Sequence, residues 1–334
     1  MNVHKDLEQL PIFKHPVVTI GTFDGVHTGH QQIIQQLNDE AAKIDGETVI
    51  ITFHPHPRKI IGPPSKEIKL INTLEEKTEL LAAKGIDHLV IVPFTTAFSE
   101  LSAEEYVRDF LISKFHPHTI IIGYDHRFGK QRKGDYHLLE DCSSNYNYIL
   151  KEIPVHVLNA VSVSSTCIRD AITNCEIESA NRLLGYDFFF EGTVIEGNRL
   201  GRTIGYPTAN LKIEEEEKIV PGDGVYVVEL SLINGQGFLD PSIAIKNDSP
   251  FPVYNSLKGM MNIGNRPTVQ GSTKTVEVNI FDFDESIYGK GLRVYVKKYL
   301  RSEKKLSGLE ALKDQLAKDK IQTIGYFAAE RSKG

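Results

Sequence analysis

The chain has 334 residues, enough for two domains, and its 40% apolar and 25% charged content is that of a globular protein rather than a disordered or fibrous one. Net charge is −6: residues 1–185 carry 18 basic and 24 acidic side chains and the remainder 20 of each, which argues against nucleic acid as the main partner. No apolar run reaches the ~18 residues of a membrane span, no secretory signal pattern opens the chain, and Cys142, Cys167 and Cys175 lack the spacing of a disulfide framework or zinc ribbon. The expectation is a cytoplasmic protein with small-molecule partners and no membrane contact; a homo-oligomer is compatible with it.

Apolar runs at 17–21, 48–53, 88–94 and 119–123 read as buried parallel strands. Helical patterns separate them. Ile33, Ile34, Leu37, Ala41 and Ile44 mark one apolar face, and Ser102 with Glu105 makes a capping box opening a helix near 103–115. Four βα units in series predict a doubly wound α/β sheet, which binds ligands at the carboxyl ends of its strands. The turn 21–30 and the loop 123–134 fall there.

That turn reads Gly21-Thr22-Phe23-Asp24-Gly25-Val26-His27-Thr28-Gly29-His30. Glycines allow close approach of backbone to a ligand, and a helix N-terminus offers N–H groups and the positive end of a dipole to an anion. His27 and His30 are spaced i, i+3 on one helix face, close enough to share a phosphate group. A His-x-x-His pair is also half of a zinc site, but no Cys or acidic cluster nearby completes a tetrahedron. The arrangement suits a nucleoside triphosphate.

Gly185 reads as a helix C-cap, and beyond it the pattern changes. Period-two runs at 188–195, 225–232, 275–281 and 292–300 predict a small antiparallel barrel or sandwich, so the domains are expected at 1–185 and 186–334. Leu306, Leu309, Leu312 and Leu316 form a helical stripe expected to pack on it as core, and 233–257 reads as a loop. Glu277, between Val276 and Val278, faces away from their apolar side.

His27-Thr28-Gly29-His30 resembles the HxGH signature of nucleotidylyltransferases. Its context resembles the adenylyltransferase module of bacterial bifunctional riboflavin kinase/FAD synthetases. Three further segments carry that resemblance in order: Thr52-Phe53-His54-Pro55-His56-Pro57, Gly123-Tyr124-Asp125-His126-Arg127-Phe128-Gly129 and Ser164-Ser165-Thr166-Cys167-Ile168-Arg169. In the second half, the stretch from Gly197 to Asn210 resembles the flavokinase nucleotide loop with its motif Pro207-Thr208-Ala209-Asn210. Glu277 sits in a matching Val-Glu-Val-x-Ile-x-Asp-Phe-Asp motif, and Gly259–Thr268 and Arg301 match further segments. The resemblance covers nearly the whole chain, with departures at Cys167 (a basic residue is frequent), His126 (an aromatic) and Asn279 (a histidine).

The resemblance implies two reactions: riboflavin plus ATP giving FMN and ADP in the second domain, and FMN plus ATP giving FAD and pyrophosphate in the first. It implies that His27 and His30 contact the triphosphate within a nucleotide site that includes Gly21, Phe23, Asp24 and Gly29, with Ser164, Ser165, Thr166 and Arg169 closing from the opposite side. Pro55, His56, Asp125 and Arg127 are implied near the flavin, as is Arg301 in the second domain, and the prolines flanking His56 imply an extended loop. Gly197, Gly201, Arg202 and Gly205 are implied to hold a second nucleotide. Thr208 and Asn210, a hydroxyl and an amide oxygen, are suitable hard ligands for Mg2+, and Glu277 is implied as base toward the ribityl hydroxyl. Adenylyl transfer needs positioning and charge stabilisation more than acid–base work. A helix N-terminus contributes about 0.3–2 kcal/mol, so donors from His27, His30 and Arg169, with Mg2+, are needed as well. Two alternatives stay open: one catalytic half with a regulatory flavin-binding partner half, and a non-enzymatic flavin sensor.

Overall fold

Six parallel strands build the sheet of the first half: β1 (Asn2–His4), β2 (Val17–Ile20), β3 (Thr48–His54), β4 (His88–Pro93), β5 (Thr119–Gly123) and β6 (Ile149–Ile153). The computed structural model describes residues 1–62, 68–123, 126–153, 163–197, 200–233, 256–268, 271–304 and 306–332. Asp125, Asn198 and most of the loop expected at 233–257 lie outside the described residues. By its contacts the chain divides into two units, Met1–Ser165 and Thr166–Gly334.

In the first unit the strand order is β1-β4-β3-β2-β5-β6. The four strands read from the sequence, β2 to β5, are buried at nearly every position, as parallel strands covered on both faces must be. The edge strands β1 and β6 are exposed or half-buried at all but one position, Ile153, and carry no such run, which is why they escaped the sequence reading. Strand order turns back at β2: β3 and β4 lie to one side, β5 and β6 to the other. A crevice forms at such a switch point, at the carboxyl ends of the strands, and the turn after β2 lies there. The capping box closes as expected, Glu105 N–H donating to Ser102 Oγ (3.1 Å) and Ser102 N–H to Glu105 Oε2 (2.8 Å). Beyond it the chain winds as a π-helix over Tyr106–Ile112, burying Tyr106, Val107, Phe110 and Leu111.

The second unit holds a closed antiparallel barrel in the order β10-β11-β8-β7-β12-β9. Its strands are β7 (Phe189–Ile195), β8 (Ala209–Lys212), β9 (Gly224–Ile233), β10 (Leu257–Thr268), β11 (Gly271–Ile280) and β12 (Gly291–Arg301). Closure leaves no unpaired sheet edge. Helix Ile177–Leu184, ended by left-handed Gly185 (φ 75°), is tied to the barrel through Asn181. The Asn181 amide donates to the Val296 carbonyl (2.9 Å) and accepts from Phe188 N–H (2.8 Å).

The leucine stripe differs from expectation. Helix Leu309–Arg331 buries Asp319, Thr323 and Phe327, while Leu309 is 53% exposed and Leu306, Leu312 and Leu316 line a cavity. The cause is electrostatic: Asp319, fully buried, accepts a bidentate pair from Arg301 on β12 (2.9 and 2.7 Å), which turns this face of the helix inward, and a bond from Gln315 within the helix (2.9 Å). Removing one partner of a buried pair strands the other, so Asp319→Ala is expected to cost about 3 kcal/mol of stability, read from urea unfolding. A loss under a tenth of that would show that the pair does not set the helix.

Candidate active sites

In the first unit, the turn after β2 is held in a conformation that side chains resist. Phe23 (φ 47°) and Val26 (φ 36°) both lie in the left-handed region, Val26 despite its branched Cβ, and both are buried. Packing and hydrogen bonds enforce this. The fully buried Asp24 carboxylate accepts from the N–H groups of Ile71 (3.0 Å) and Asn72 (3.2 Å). The Thr22 carbonyl takes Lys77 Nζ (2.7 Å) and Thr52 Oγ1 (3.2 Å), and the Val26 carbonyl takes Gln31 Nε2 (2.9 Å).

His27 is the N-cap of helix Thr28–Lys43, its Nδ1 accepting from His30 N–H (3.3 Å), which leaves the proton of the neutral ring on Nε2. The rings of His27 and His30 stack, centroids 3.6 Å apart and 15° from parallel, and Phe23 packs on His30 at 4.9 Å. Gly29 makes the stack feasible, since a Cβ there would stand 3.3 Å from the His27 ring. His30 Nδ1 is buried with no hydrogen-bond partner among the described residues.

Burial lowers the His27 pKa to about 4, against the opposing pull of Asp24. His30 lies well below its ordinary value through burial, then the charges of His27 and Lys77. Both rings are therefore neutral N–H donors near pH 7. Because both folded values lie below the unfolded 6.5, the unfolded chain takes up protons first as pH falls. The His27 contribution to stability is whole above about pH 6.5 and is lost between there and about 4, a shift that corresponds to roughly 3 kcal/mol, and His30 acts in the same direction. Urea unfolding at pH 7.5 and 5.0 should show a larger acid loss in the wild type than in His27→Asn; equal losses would contradict the assignment.

The segment expected to close on ATP meets this turn: Ser165 Oγ donates to the Asp24 carbonyl (2.9 Å). Ser165 opens helix Ser165–Thr173, Ser164 and Thr166 flank it exposed, and Arg169 stands one turn further along, half-buried. His56 is buried and caps a short helix, Pro57–Ile61, its Nδ1 accepting from Arg58 N–H (3.2 Å). The extended loop expected around Pro55 is thus helical from Pro57 on, because proline at a first helical position gives up no needed N–H. Arg127 is exposed and pairs with Asp135 (2.5 Å), itself the N-cap of helix Tyr136–Tyr146. Lys77 is the functional candidate missed from sequence, and no local motif marks it.

In the second unit, a cavity of about 270 Å³ gathers Gly201, Tyr206, Thr208, Asn210, Asn262, Glu277, Asn279 and Arg301, with Leu306, Leu312 and Leu316 as its apolar wall. Register explains the gathering. Glu277 on β11 pairs with Asn210 on β8 and with Asn262 on β10, so the three lie side by side across the sheet. Val276 and Val278 are buried while Glu277 is half-buried, the alternation expected of the strand. A Cβ at Gly197 would fall 2.0 Å from Asn210 Nδ2, and one at Gly201 2.1 Å from the Tyr206 carbonyl, so both glycines let the loop close on Pro207–Asn210. Tyr206 N–H donates to the Gly201 carbonyl (2.8 Å), and Arg202 and Gly205 remain exposed on the loop. Asn279 donates to the Pro207 carbonyl (2.7 Å), so an asparagine suffices to hold this turn. Asn262, which donates to Glu303 (3.1 Å), was noted only as part of the segment Gly259–Thr268 and the leucines only as core packing; strand pairing and helix rotation bring them here. Among the described residues no group of three His, Cys, Asp or Glu is placed to hold a metal. Thr208 and Asn210 nonetheless fit Mg2+ as hard neutral oxygens, in a cavity that also holds the Glu277 carboxylate.

Two family models match the chain, FAD synthetase over residues 11–167 and riboflavin kinase over residues 184–327. The bifunctional riboflavin kinase/FMN adenylyltransferase of Listeria monocytogenes is 36% identical over 315 residues, spanning 93% of this chain and 92% of that one. Its counterparts in Escherichia coli K12 and Bacillus subtilis are 33% and 34% identical, with the same shares covered. A crystal structure described as a macrolide-efflux protein from Streptococcus pneumoniae is similar with a TM-score of 0.81 and 30% identity over 96% of this chain and 98% of that one. In this chain no described helix is long and apolar enough to cross a membrane. With an FAD synthetase domain followed by a riboflavin kinase domain, the chain belongs to the bifunctional riboflavin kinase/FMN adenylyltransferase family.

Proposed function

We propose that this bifunctional riboflavin kinase and FMN adenylyltransferase runs its two reactions at the two sites described, with residues 1–185 and 186–334 as the working modules. The observation that carries the reading is the meeting of Thr208, Asn210, Glu277 and Arg301, from separate parts of the chain, around one cavity. There the Glu277 carboxylate takes the proton of the ribityl hydroxyl as its oxygen attacks the γ-phosphorus of ATP, and ADP leaves. Thr208 and Asn210 would hold Mg2+, which neutralises charge on the transferring phosphoryl group when bound. Gly197, Gly201, Arg202 and Gly205 carry the nucleotide, while Arg301, fixed by Asp319, borders the flavin.

In the first unit, a phosphate oxygen of FMN attacks the α-phosphorus of a second ATP and the bond to pyrophosphate breaks. No proton need move, so the neutral rings of His27 and His30 serve as N–H donors to developing charge. Gly21, Phe23, Asp24 and Gly29 shape the turn that holds them, and Ser164, Ser165, Thr166 and Arg169 are read as further nucleotide-binding residues from the resemblance of their segment. Pro55, His56, Asp125 and Arg127 are the residues proposed to bind the flavin. Partners in this reading are ATP, riboflavin and FMN in a cytoplasmic setting.

Incubation with riboflavin, ATP and Mg2+ followed by chromatography tests it. FAD as product supports two working sites; FMN alone would leave a kinase with a regulatory half, and no product a flavin sensor.

A further inference from the structure

We propose that Lys77 is a positioning residue of the adenylyl-transfer site, holding the Thr22 carbonyl and setting a fixed positive charge against the phosphate-binding turn. The inference rests on the reading that His27 and His30 grip ATP. Lys77 lies on helix Leu74–Ala82, only 7% exposed, with Nζ 2.7 Å from the Thr22 carbonyl. Lysine is almost never so buried without a pairing that requires it. The carbonyl alone does not require it, because Thr52 Oγ1 already donates there at 3.2 Å. Nor does packing, since an apolar side chain of equal length would avoid the cost of desolvating an ammonium.

Two connections tie the helix to the turn in opposite directions. Asp24 reaches from the turn to the N–H groups of Ile71 and Asn72, just before the helix, and Lys77 reaches back from the helix to Thr22. The capping box of Thr73 and Glu76 fixes the helix start between them. One ammonium donor is spent on Thr22, leaving two. The charged and titratable groups acting on His30 and its stacked neighbour are His27 and Asp24 from the turn and Lys77 from the helix. Burial first, then the charges of His27 and Lys77, keep His30 unprotonated. Burial lowers the pKa of the Lys77 ammonium and the Asp24 carboxylate opposes that; with both histidines neutral, Lys77 brings to the turn a positive charge they do not carry.

The test uses full-length Lys77→Met and Lys77→Arg, with riboflavin phosphorylation as internal control and FMN adenylylation measured across pH for kcat and KM of ATP. Lys77→Met is expected to lower kcat/KM for ATP in FAD formation by about 10²-fold, leave FMN formation unchanged, and shift the acid limb of the FAD-forming profile to higher pH. Lys77→Arg should return the limb to its wild-type position. A rate within twofold of wild type, or a loss with an unmoved limb and no rescue by arginine, overturns the proposal and leaves Lys77 a packing residue. His30→Ala is assayed beside them. If it leaves FAD formation intact, the ATP-site reading itself fails and takes this proposal with it.

Discussion

Glu277→Gln is expected to slow riboflavin phosphorylation by about 10²–10⁴-fold while externally supplied FMN is still converted to FAD at the wild-type rate. Glutamine keeps the volume of the side chain and its hydrogen bonding toward the cavity, but it cannot take a proton from the ribityl hydroxyl. Stability should barely change, since position 277 is half-buried between the core residues Val276 and Val278. The register singles out this carboxylate, placing it between Asn210 and Asn262 on the neighbouring strands. Separate rate assays for FMN and FAD formation decide the matter. A kinase rate within fivefold of wild type would remove Glu277 as the base.

The mirror experiment is His30→Ala. FAD formation from FMN should fall about 10²–10³-fold with riboflavin phosphorylation intact, the cost of removing one preorganised donor from a charge-stabilising site. His30 is suited to that cost: its ring stacks on His27 at 3.6 Å, packs on Phe23, and keeps a buried Nδ1 without a partner among the described residues. If either variant removed both activities in folded protein, the assignment of one reaction to each site would fall.

Much of this was legible locally. The turn proposed to bind phosphate is a strand end, a glycine-rich bend and a helix start in ten consecutive residues; the i, i+3 spacing put His27 and His30 on one helix face, and the structure makes His27 the N-cap with its ring stacked on His30. The four inner parallel strands were legible because burial on both faces demands unbroken apolar runs. The edge strands β1 and β6 were not, because nearly all their positions are exposed or only half-buried, and β8 was not, because four residues within a motif give too short a pattern. The leucine stripe had the right helical period but the wrong destination, since Asp319 and Arg301 decide the rotation.

By itself the sequence determined the two-part plan of a parallel α/β sheet followed by an antiparallel barrel, and it marked the two glycine-rich turns proposed to hold phosphate, because caps, glycine turns and buried strands write their requirements into neighbouring positions. Tertiary structure alone decided which distant residues share a site: Glu277 beside Asn210 and Asn262, Leu306, Leu312 and Leu316 as a cavity wall, and Lys77 against Thr22. Strand register, helix rotation and the pairing of buried charges are long-range choices, made by what the rest of the chain packs against, and they leave no periodic trace along the sequence.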